Sequence, residues 1–143
     1  MQNFHLSDNL IKKKILVVED DEISFLVLSE YLKYDNYKVV RAVNGEEAVS
    51  LIQNDKDGFG LVLMDILMPI MNGFEAAKSI KKINKSIPVI AQTAVDYSRN
   101  NEADFSNFNK VLLKPLNFKK LKELIRSVYK KNNVLRIVEP QMN

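Results

Sequence analysis

Residues 61–65 are Leu-Val-Leu-Met-Asp, so an apolar run ends in a carboxylate, and Ile-Leu-Met-Pro follows at 66–69. A short continuous apolar run is typical of a strand that is buried on both faces. The acid, Asp65, therefore stands where a buried strand ends and the chain turns toward water. In an open parallel sheet, the carboxyl ends of the strands line the functional crevice.

Two other apolar runs also end in charged residues. Ile-Leu-Val-Val at 15–18 precedes Glu19 and Asp20, and Val-Leu-Leu at 111–113 precedes Lys114. Together with Asp65, these strand ends carry acids on two strands and a lysine on a third. The sequence therefore predicts an acidic site that holds one fixed cation.

Composition excludes several classes of function. The chain has 143 residues and no cysteine, and its one histidine, His5, lies in a polar N-terminal stretch. Thiolate catalysis, disulfides and histidine-rich metal sites are therefore excluded. No apolar run approaches the ~20 residues of a membrane span, and a signal-peptide core is missing, so we expect a cytoplasmic protein. The net charge of +3 is small, and without arginine clusters we expect no direct nucleic-acid binding.

Strand-like and helical patterns alternate along the chain. Strands are predicted at 15–18, 37–42, 61–64, 88–91 and 111–113, with helices between and after them, including a short fourth helix within 97–110. This alternation predicts an α/β fold with a doubly wound five-stranded parallel sheet, flavodoxin-like order 2-1-3-4-5 and helices on both faces. We expect the domain at 14–131, flanked by an N-terminal tail or linker (1–13) and a C-terminal tail (132–143).

Three asparagines mark predicted helix starts. Asn44 and Asn72 are each followed three residues later by a glutamate, as in a capping box, and Asn117 precedes the last helix.

The predicted acids favour a hard divalent cation. Three converging carboxylates repel each other, and Mg²⁺ relieves this with oxygen ligands and several waters. We expect Asp20, Asp65 and the backbone carbonyl of Leu67 as direct ligands, and Glu19 as a ligand through a metal-bound water.

Asp65 also has the chemistry of a nucleophile. A carboxylate can attack phosphorus to form an aspartyl-phosphate, and phosphoryl transfer depends on positioning and charge neutralisation. Lys114 can neutralise one phosphoryl oxygen, and the hydroxyl of Thr93, at the end of the fourth strand, can donate to another.

Over about residues 14–131 the chain resembles the receiver domain of two-component response regulators. The resemblance rests on Glu19-Asp20, Met64-Asp65-Ile66-Leu67-Met68-Pro69-Ile70-Met71-Asn72-Gly73, Thr93-Ala94 and Lys114-Pro115. Residues 88–94 look especially like receivers of hybrid sensor histidine kinases. The resemblance implies a phosphorelay in which Asp65 accepts a phosphoryl group from a histidine kinase or histidine phosphotransfer protein, with Mg²⁺. It implies a regulatory domain rather than an enzyme, with output through the fourth helix, fifth strand and fifth helix of the family fold. Whether the domain also forms a homodimer through that surface stays open.

The chain departs from that family at positions near the site. Val111 stands three residues before Lys114, where receivers usually carry an aromatic residue. Leu67 and Val95 flank the phosphoryl position, and neither side chain can orient an attacking water, so we expect slow self-dephosphorylation.

Three alternatives remain at this point. Val111 keeps open a pseudo-receiver, a phosphorylation-independent protein-interaction module. The second alternative is a phosphatase of the haloacid dehalogenase type. That class needs a second acid two residues after Asp65, and Leu67 occupies this position, which argues against it. The chain is either a stand-alone regulator or part of a hybrid kinase, and the Gln92-Thr93-Ala94 context favours the latter.

Overall fold

The computed structural model describes residues 10–100, 102–131 and 135–137, with side chains for 13–100 and 102–129. In chain order, the elements are β1 (Leu10–Lys12), β2 (Lys14–Val18), α1 (Glu22–Tyr34), β3 (Val39–Ala42), α2 (Gly45–Asn54), β4 (Phe59–Asp65), α3 (Gly73–Ile83), β5 (Val89–Thr93), β6 (Lys110–Leu113), α4 (Phe118–Lys131) and β7 (Leu135–Ile137).

The central sheet has five parallel strands in the order β3-β2-β4-β5-β6. Counted over these strands alone, the order is 2-1-3-4-5, so the flavodoxin-like prediction is confirmed. The register places Asp65 opposite Gln92, and Thr93 opposite Leu113. The carboxyl ends of β2, β4, β5 and β6 therefore meet at one edge of the sheet.

Helices pack on both faces of the sheet and form two hydrophobic cores. On one face, Leu32 of α1 and Leu121 of α4 pack with Leu61 and Leu63 of β4. On the other face, the buried side chains of α2 and α3 pack with alternate strand residues; this core contains Ala48, Ile52, Ala76, Ile80, Val62 and Met64. Strand β4 is buried along its whole length. Each fully buried Leu, Ile or Met contributes roughly 1.5–3 kcal/mol.

The three predicted asparagine caps are confirmed. The side-chain oxygens of Asn44, Asn72 and Asn117 accept backbone hydrogen bonds at 2.8, 3.0 and 3.1 Å, each from the residue three positions later. Such a cap contributes about 1 kcal/mol to helix stability.

Ile23, Leu26, Val27 and Tyr31 recur at helical spacing and so predict α1, but they are not the residues that α1 buries. Leu28, Ser29 and Leu32 are buried, whereas Ile23 and Val27 are 73% and 54% exposed. The helix is where the sequence predicts it, but α1 turns another stripe toward the sheet. Part of the apolar pattern that predicted the helix therefore lies at the surface.

The prediction of a short fourth helix within residues 97–110 is wrong. Residues 94–100 and 102–109, the described part of the segment between β5 and β6, contain no helix. Asp96, Asn100 and Asp104 each accept a hydrogen bond at 2.9 Å from the backbone N–H two residues later. Asp and Asn side chains that bond locally in this way compete with helical hydrogen bonding. The structure thus has four helices among its described residues. The helix predicted between β5 and β6, which was to form part of the output surface, is absent from these residues.

Aromatic side chains hold this non-helical segment. The ring of Phe74, on α3, contacts Tyr97, Phe105 and Phe108 with centroid separations of 5.8, 5.0 and 6.0 Å. Aromatic pairs at these separations and angles are favourable beyond their buried area. We refer to Phe74, Tyr97, Phe105 and Phe108 as the aromatic cluster.

Strand β6 lies at the sheet edge and is not the buried strand that its apolar sequence predicts. Val111 and Leu113 are 43% and 50% exposed, because no described helix covers that face.

Outside the parallel sheet, β1 pairs antiparallel with β7. Both strands lie within the predicted tails, 1–13 and 132–143. Residues 1–9, with His5, and residues 132–134 and 138–143 of these tails fall outside the described residues. The domain boundaries stay a prediction. Among the described helices, none combines the length and apolarity that crossing a membrane requires.

Candidate functional site

Asp65 is the last residue of β4, and its side chain is buried at the base of a tight loop. The loop returns at Gly73, whose N–H donates to the carbonyl oxygen of Ile66 at 2.9 Å. A Cβ at position 73 would lie 2.5 Å from the carbonyl oxygen of Asp65 and 2.9 Å from the Cα of Ile66. Glycine is required there because the backbone of α3 approaches the backbone around Asp65 so closely.

The same loop contains a strained residue. Ile70 has φ 71° and is flanked by a hydrogen bond from the Met71 N–H to the Pro69 carbonyl at 2.8 Å. This is a γ-turn with positive φ at its centre, which is rare, and a β-branched residue there is an outlier. The loop after Asp65 is therefore held against a local backbone cost.

The acids at the end of β2 are positioned by residues that the sequence analysis did not single out. Arg41, on β3, donates from Nε to the Glu19 carbonyl at 3.2 Å and from Nη2 to the Asp20 carbonyl at 3.3 Å. The Arg41 guanidinium also lies 4.9 Å from the ring centroid of Phe25. Arg41 thus fixes the backbone from which both acids project.

Asp21, the next residue, caps α1. Its carboxylate accepts from the N–H of Ser24 at 2.9 Å and from the Ser24 hydroxyl at 2.7 Å, and these bonds lower the pKa of Asp21. Asp21 therefore stabilises the start of α1, whereas Glu19 and Asp20 contribute their carboxylates to the site. An acid three residues before a serine at a helix start is the sequence signal that could have identified this cap.

The predicted acids converge. One carboxylate oxygen from each of Glu19, Asp20 and Asp65 lies within 4.8 Å of the others. The ammonium group of Lys114 lies 3.0 Å from Glu19 Oε1 and 3.5 Å from Asp65 Oδ2. The Lys114–Pro115 peptide bond is cis. Three acids from two strand ends and the lysine that follows a third strand therefore form one cluster.

The electrostatics of the cluster are coupled. Burial, reinforced by the neighbouring carboxyl of Asp65, raises the pKa of Glu19 although Lys114 opposes the shift. Burial alone would lower the pKa of Lys114, but its hydrogen bond to Glu19 and the charges of Asp65 and Glu19 outweigh that effect and raise it. The lysine is therefore held in its charged form, and it partly neutralises the acids.

The remaining predicted site residues lie on β5, in the loop after β4 and on β6. Thr93 is buried at the end of β5, and its Oγ1 accepts from the Val95 N–H at 3.1 Å. Leu67 lies two residues after β4 with its side chain 59% exposed. Val111 is exposed on β6, on the edge strand.

The cluster fits a hard cation by the chemistry of its donors. Carboxylate oxygens from Glu19, Asp20 and Asp65 are the type and charge of ligand that Mg²⁺ takes in proteins, with waters completing its octahedral shell.

Comparison with known proteins bears on the identity of this arrangement. The family model described as "Response regulator receiver domain" matches residues 15–126, which includes every acid of the cluster and Lys114. This chain belongs to the receiver domain family. The expected resemblance is thereby confirmed, and the chain is a regulatory type of domain.

Relatives of the receiver are found among curated proteins and solved structures. The response regulator SaeR of Staphylococcus aureus (strain USA300) is 36% identical over 80 residues, which are 56% of this chain and 34% of that protein. The aligned stretch thus spans about a third of the curated relative. The response regulator TrrA of Thermotoga maritima, solved with Mg²⁺-BeF, is 32% identical, with a TM-score of 0.73 over 81% of this chain and 98% of that one.

A second solved neighbour comes from a sensor kinase. The receiver domain of a Pseudomonas aeruginosa sensor histidine kinase, with a magnesium ion in its active-site cleft, is 25% identical. Its TM-score is 0.73 over 86% of this chain and 99% of that chain.

Proposed function

We propose that this receiver is a phosphoacceptor signalling domain in which Asp65 receives a phosphoryl group from a kinase phosphohistidine. The observation that carries this proposal is the cluster of three carboxylates with the Lys114 ammonium 3.5 Å from Asp65. The acids can hold a cation, and the lysine can neutralise an added phosphoryl group. Membership of the receiver family supports the same assignment.

The transfer is a substitution at phosphorus. An Oδ atom of Asp65 forms the new P–O bond while the P–N bond to the donor histidine breaks, and the electron pair stays on the imidazole nitrogen. Lys114 supplies positive charge to a phosphoryl oxygen, and the Thr93 hydroxyl donates to another. Mg²⁺, held by Asp20, Asp65 and the carbonyl of Leu67, with Glu19 acting through water, would neutralise further charge when bound.

We infer that the donor is a histidine kinase or a histidine phosphotransfer protein and that the domain works in the cytoplasm. It phosphorylates itself from the donor and loses the phosphoryl group slowly. The TrrA and sensor-kinase neighbours support both a stand-alone regulator and a hybrid-kinase context. The Gln92-Thr93-Ala94 sequence favours the hybrid kinase.

A phosphorylation assay tests the assignment. The full chain is incubated with acetyl phosphate and Mg²⁺, and intact mass and migration on a phosphate-affinity gel are measured. We expect one added phosphoryl group, lost in Asp65→Asn and retained in Asp57→Asn, a control at an exposed turn. Removal of Mg²⁺ with EDTA should also abolish the modification. A chain that stays unmodified would favour the pseudo-receiver, for which the exposed Val111 is the supporting observation.

The lifetime of the phosphoryl group gives a finer test. Because Leu67 and Val95 cannot orient a water, we expect the aspartyl-phosphate to outlast seconds, and Leu67→Asn should shorten its lifetime. Leu67→Met is the matched control, since it adds no polar group. Equal decay in both variants would contradict this explanation.

A further inference from the structure

A cavity of about 300 Å³ lies between α1 and the segment that joins β6 to α4. Its walls are mostly apolar, and the apolar side chains that line it include Ile23, Val27, Leu28, Leu116 and Phe118. These include two of the exposed apolar residues of α1 that the sheet does not cover, Ile23 and Val27. The cavity therefore gives the unburied apolar stripe of this helix a concave surface.

Gln92, on β5, also lines this cavity and is the exceptional group in it. The residue is 2% exposed, and its Nε2 has no hydrogen-bond partner among the described residues. A buried amide that lacks an acceptor is costly, so its donor is explained by a molecule that binds in the cavity, either water or a ligand. Two positions earlier on the same strand, the side chain is Ile90, which packs in the hydrophobic core.

We propose that the cavity binds a small, largely apolar molecule through one carbonyl oxygen, which accepts a hydrogen bond from Gln92 Nε2. The apolar walls select the body of the ligand, and the unpaired donor selects the acceptor. Pockets with mostly apolar walls and a few placed polar groups are typical of small-molecule sites. A cavity of roughly 150 Å³ holds benzene, so this one has room for a ring with a short ketone chain.

The other polar groups of the cavity favour a neutral acceptor. Glu19 and Lys114 also line it, but they are engaged with each other at 3.0 Å. The Ser24 hydroxyl donates to Asp21 at 2.7 Å. A carboxylate ligand would meet the charge of Glu19. A bound water usually makes about three hydrogen bonds, whereas the unpaired donor identified here is Gln92 Nε2 alone among the described cavity-lining side chains.

A matched pair of probes tests the proposal on the full chain. Propiophenone carries a ring, a short chain and a carbonyl, and propylbenzene has the same shape without the acceptor. We titrate each into ¹⁵N-labelled protein and follow the side-chain NH₂ signals of Gln92, identified by their absence in Gln92→Met. We expect saturable shifts of these signals and about fivefold tighter binding of propiophenone, as one hydrogen bond provides.

Two variants and one control separate the contribution of the hydrogen bond from that of the cavity. Gln92→Met keeps the volume and removes the donor, so the preference for propiophenone should fall to about onefold. Val27→Phe should fill the cavity and abolish binding of both compounds, while Leu26→Phe, on the same helix but outside the cavity, should leave it unchanged. If Gln92→Met does not fold, the Val27 and Leu26 pair still decides the location.

Three results would overturn the proposal. Shifts that do not saturate with either compound would mean that the cavity holds water or a partner's side chain. Equal affinity for the two compounds would remove the role of Gln92. Binding that survives Val27→Phe would place the ligand elsewhere. Phosphorylation is not needed in any of these measurements, so the outcome is independent of the role proposed for Asp65.

Discussion

Two segments that cross from one parallel strand to the next differ in how they are held. Between β4 and β5, the chain forms α3, which is capped by Asn72 and buries Ala76 and Ile80. Between β5 and β6, the described residues of 94–109 form successive turns instead, in which Asp and Asn side chains accept backbone hydrogen bonds. Both segments begin beside the acidic cluster, one after Asp65 and the other after Thr93.

The difference shows that a crossover can be held by isolated turns and side-chain bonds in place of a continuous helical ladder. In the first segment the hydrogen bonds run along the helix. In the second, side-chain oxygens accept from backbone N–H groups two residues later, and single backbone turns close between Tyr97 and Asn100 and between Phe105 and Phe108. The aromatic cluster then joins the two, since Phe74 belongs to α3 while Tyr97, Phe105 and Phe108 belong to the turns. The non-helical crossover therefore depends on the helical one for its packing.

The largest expected effect comes from breaking the first crossover at Gly73. Gly73→Ala would place a Cβ 2.5 Å from the carbonyl oxygen of Asp65, and we expect a loss of about 3 kcal/mol in the free energy of unfolding. Urea denaturation measures it. Gly58→Ala is the control, because the three atoms nearest to its Cβ all belong to the half-exposed side chain of Asp55, which can turn away. The surface ion pair of Asp55 with Lys14 would be disturbed, so this variant should cost less than about 1 kcal/mol. Equal losses would contradict the close approach.

Breaking the contact between the crossovers should have the next largest effect. We expect Phe74→Ala to cost about 2 kcal/mol, because a half-buried ring loses three aromatic neighbours. In a double-mutant cycle with Phe105→Ala, the coupling free energy should be about 1 kcal/mol. Strictly additive losses would show that the two segments are stabilised independently.

Ile70→Gly should stabilise the loop that leads into α3, the first crossover, and so increase its difference from the second crossover. Glycine accepts the φ of 71° at this position without steric cost, and we expect a gain of about 1 kcal/mol in the free energy of unfolding. Thermal and urea unfolding measure the gain. Leu67→Gly, in the same loop but without a positive φ, should instead destabilise the fold. A loss in both variants would argue that Ile70 carries no strain.

The smallest expected effect is a pH response of the non-helical crossover that the helical crossover does not share. Hydrogen bonds from Ser98 and Ser106 lower the pKa of Asp96 and Asp104 below 3.8. The folded state then binds fewer protons, so this stabilisation is present above pH 3.8 and is lost as pH falls through the lowered pKa values.

Hydrogen exchange read by NMR checks this response. Amide protection of Ser98 and Ser106 should fall on acidification, while the Glu75 amide, capped by the non-titrating Asn72, should keep its protection over the same range. In Asp96→Asn/Asp104→Asn the acid response should disappear. If the Ser98 and Glu75 amides respond alike, the change is global unfolding and the local interpretation is wrong.

Much of this architecture follows from the sequence because its signals are local and consistent. Apolar runs identified β2 and β4, and asparagines identified the starts of α2, α3 and α4. The acids and Lys114 could be grouped because parallel strand ends must meet at one edge of the sheet. These inferences need only the period of the pattern and the order of the strands.

The wrong predictions fall where interactions that the apolar pattern does not show decide the structure. Residues 97–110 are polar and weakly patterned, and the alternation of strands and helices suggested a helix there, but Asp96, Asn100 and Asp104 bond locally instead. The helical spacing in α1 identified the helix without showing which stripe faces the sheet. The roles of Arg41 and Gln92 depend on neighbours distant in sequence, so no local pattern marks them.

The exposed edge strand β6 has a consequence for how the protein behaves at high concentration. Among the described residues, β6 pairs with β5 on one side and presents unpaired backbone groups on the other, next to the exposed Val111 and Leu113. Such an edge can recruit a strand from another molecule and so start aggregation. Lys110, exposed at the start of β6, would repel the same residue of a second copy that approached in parallel register.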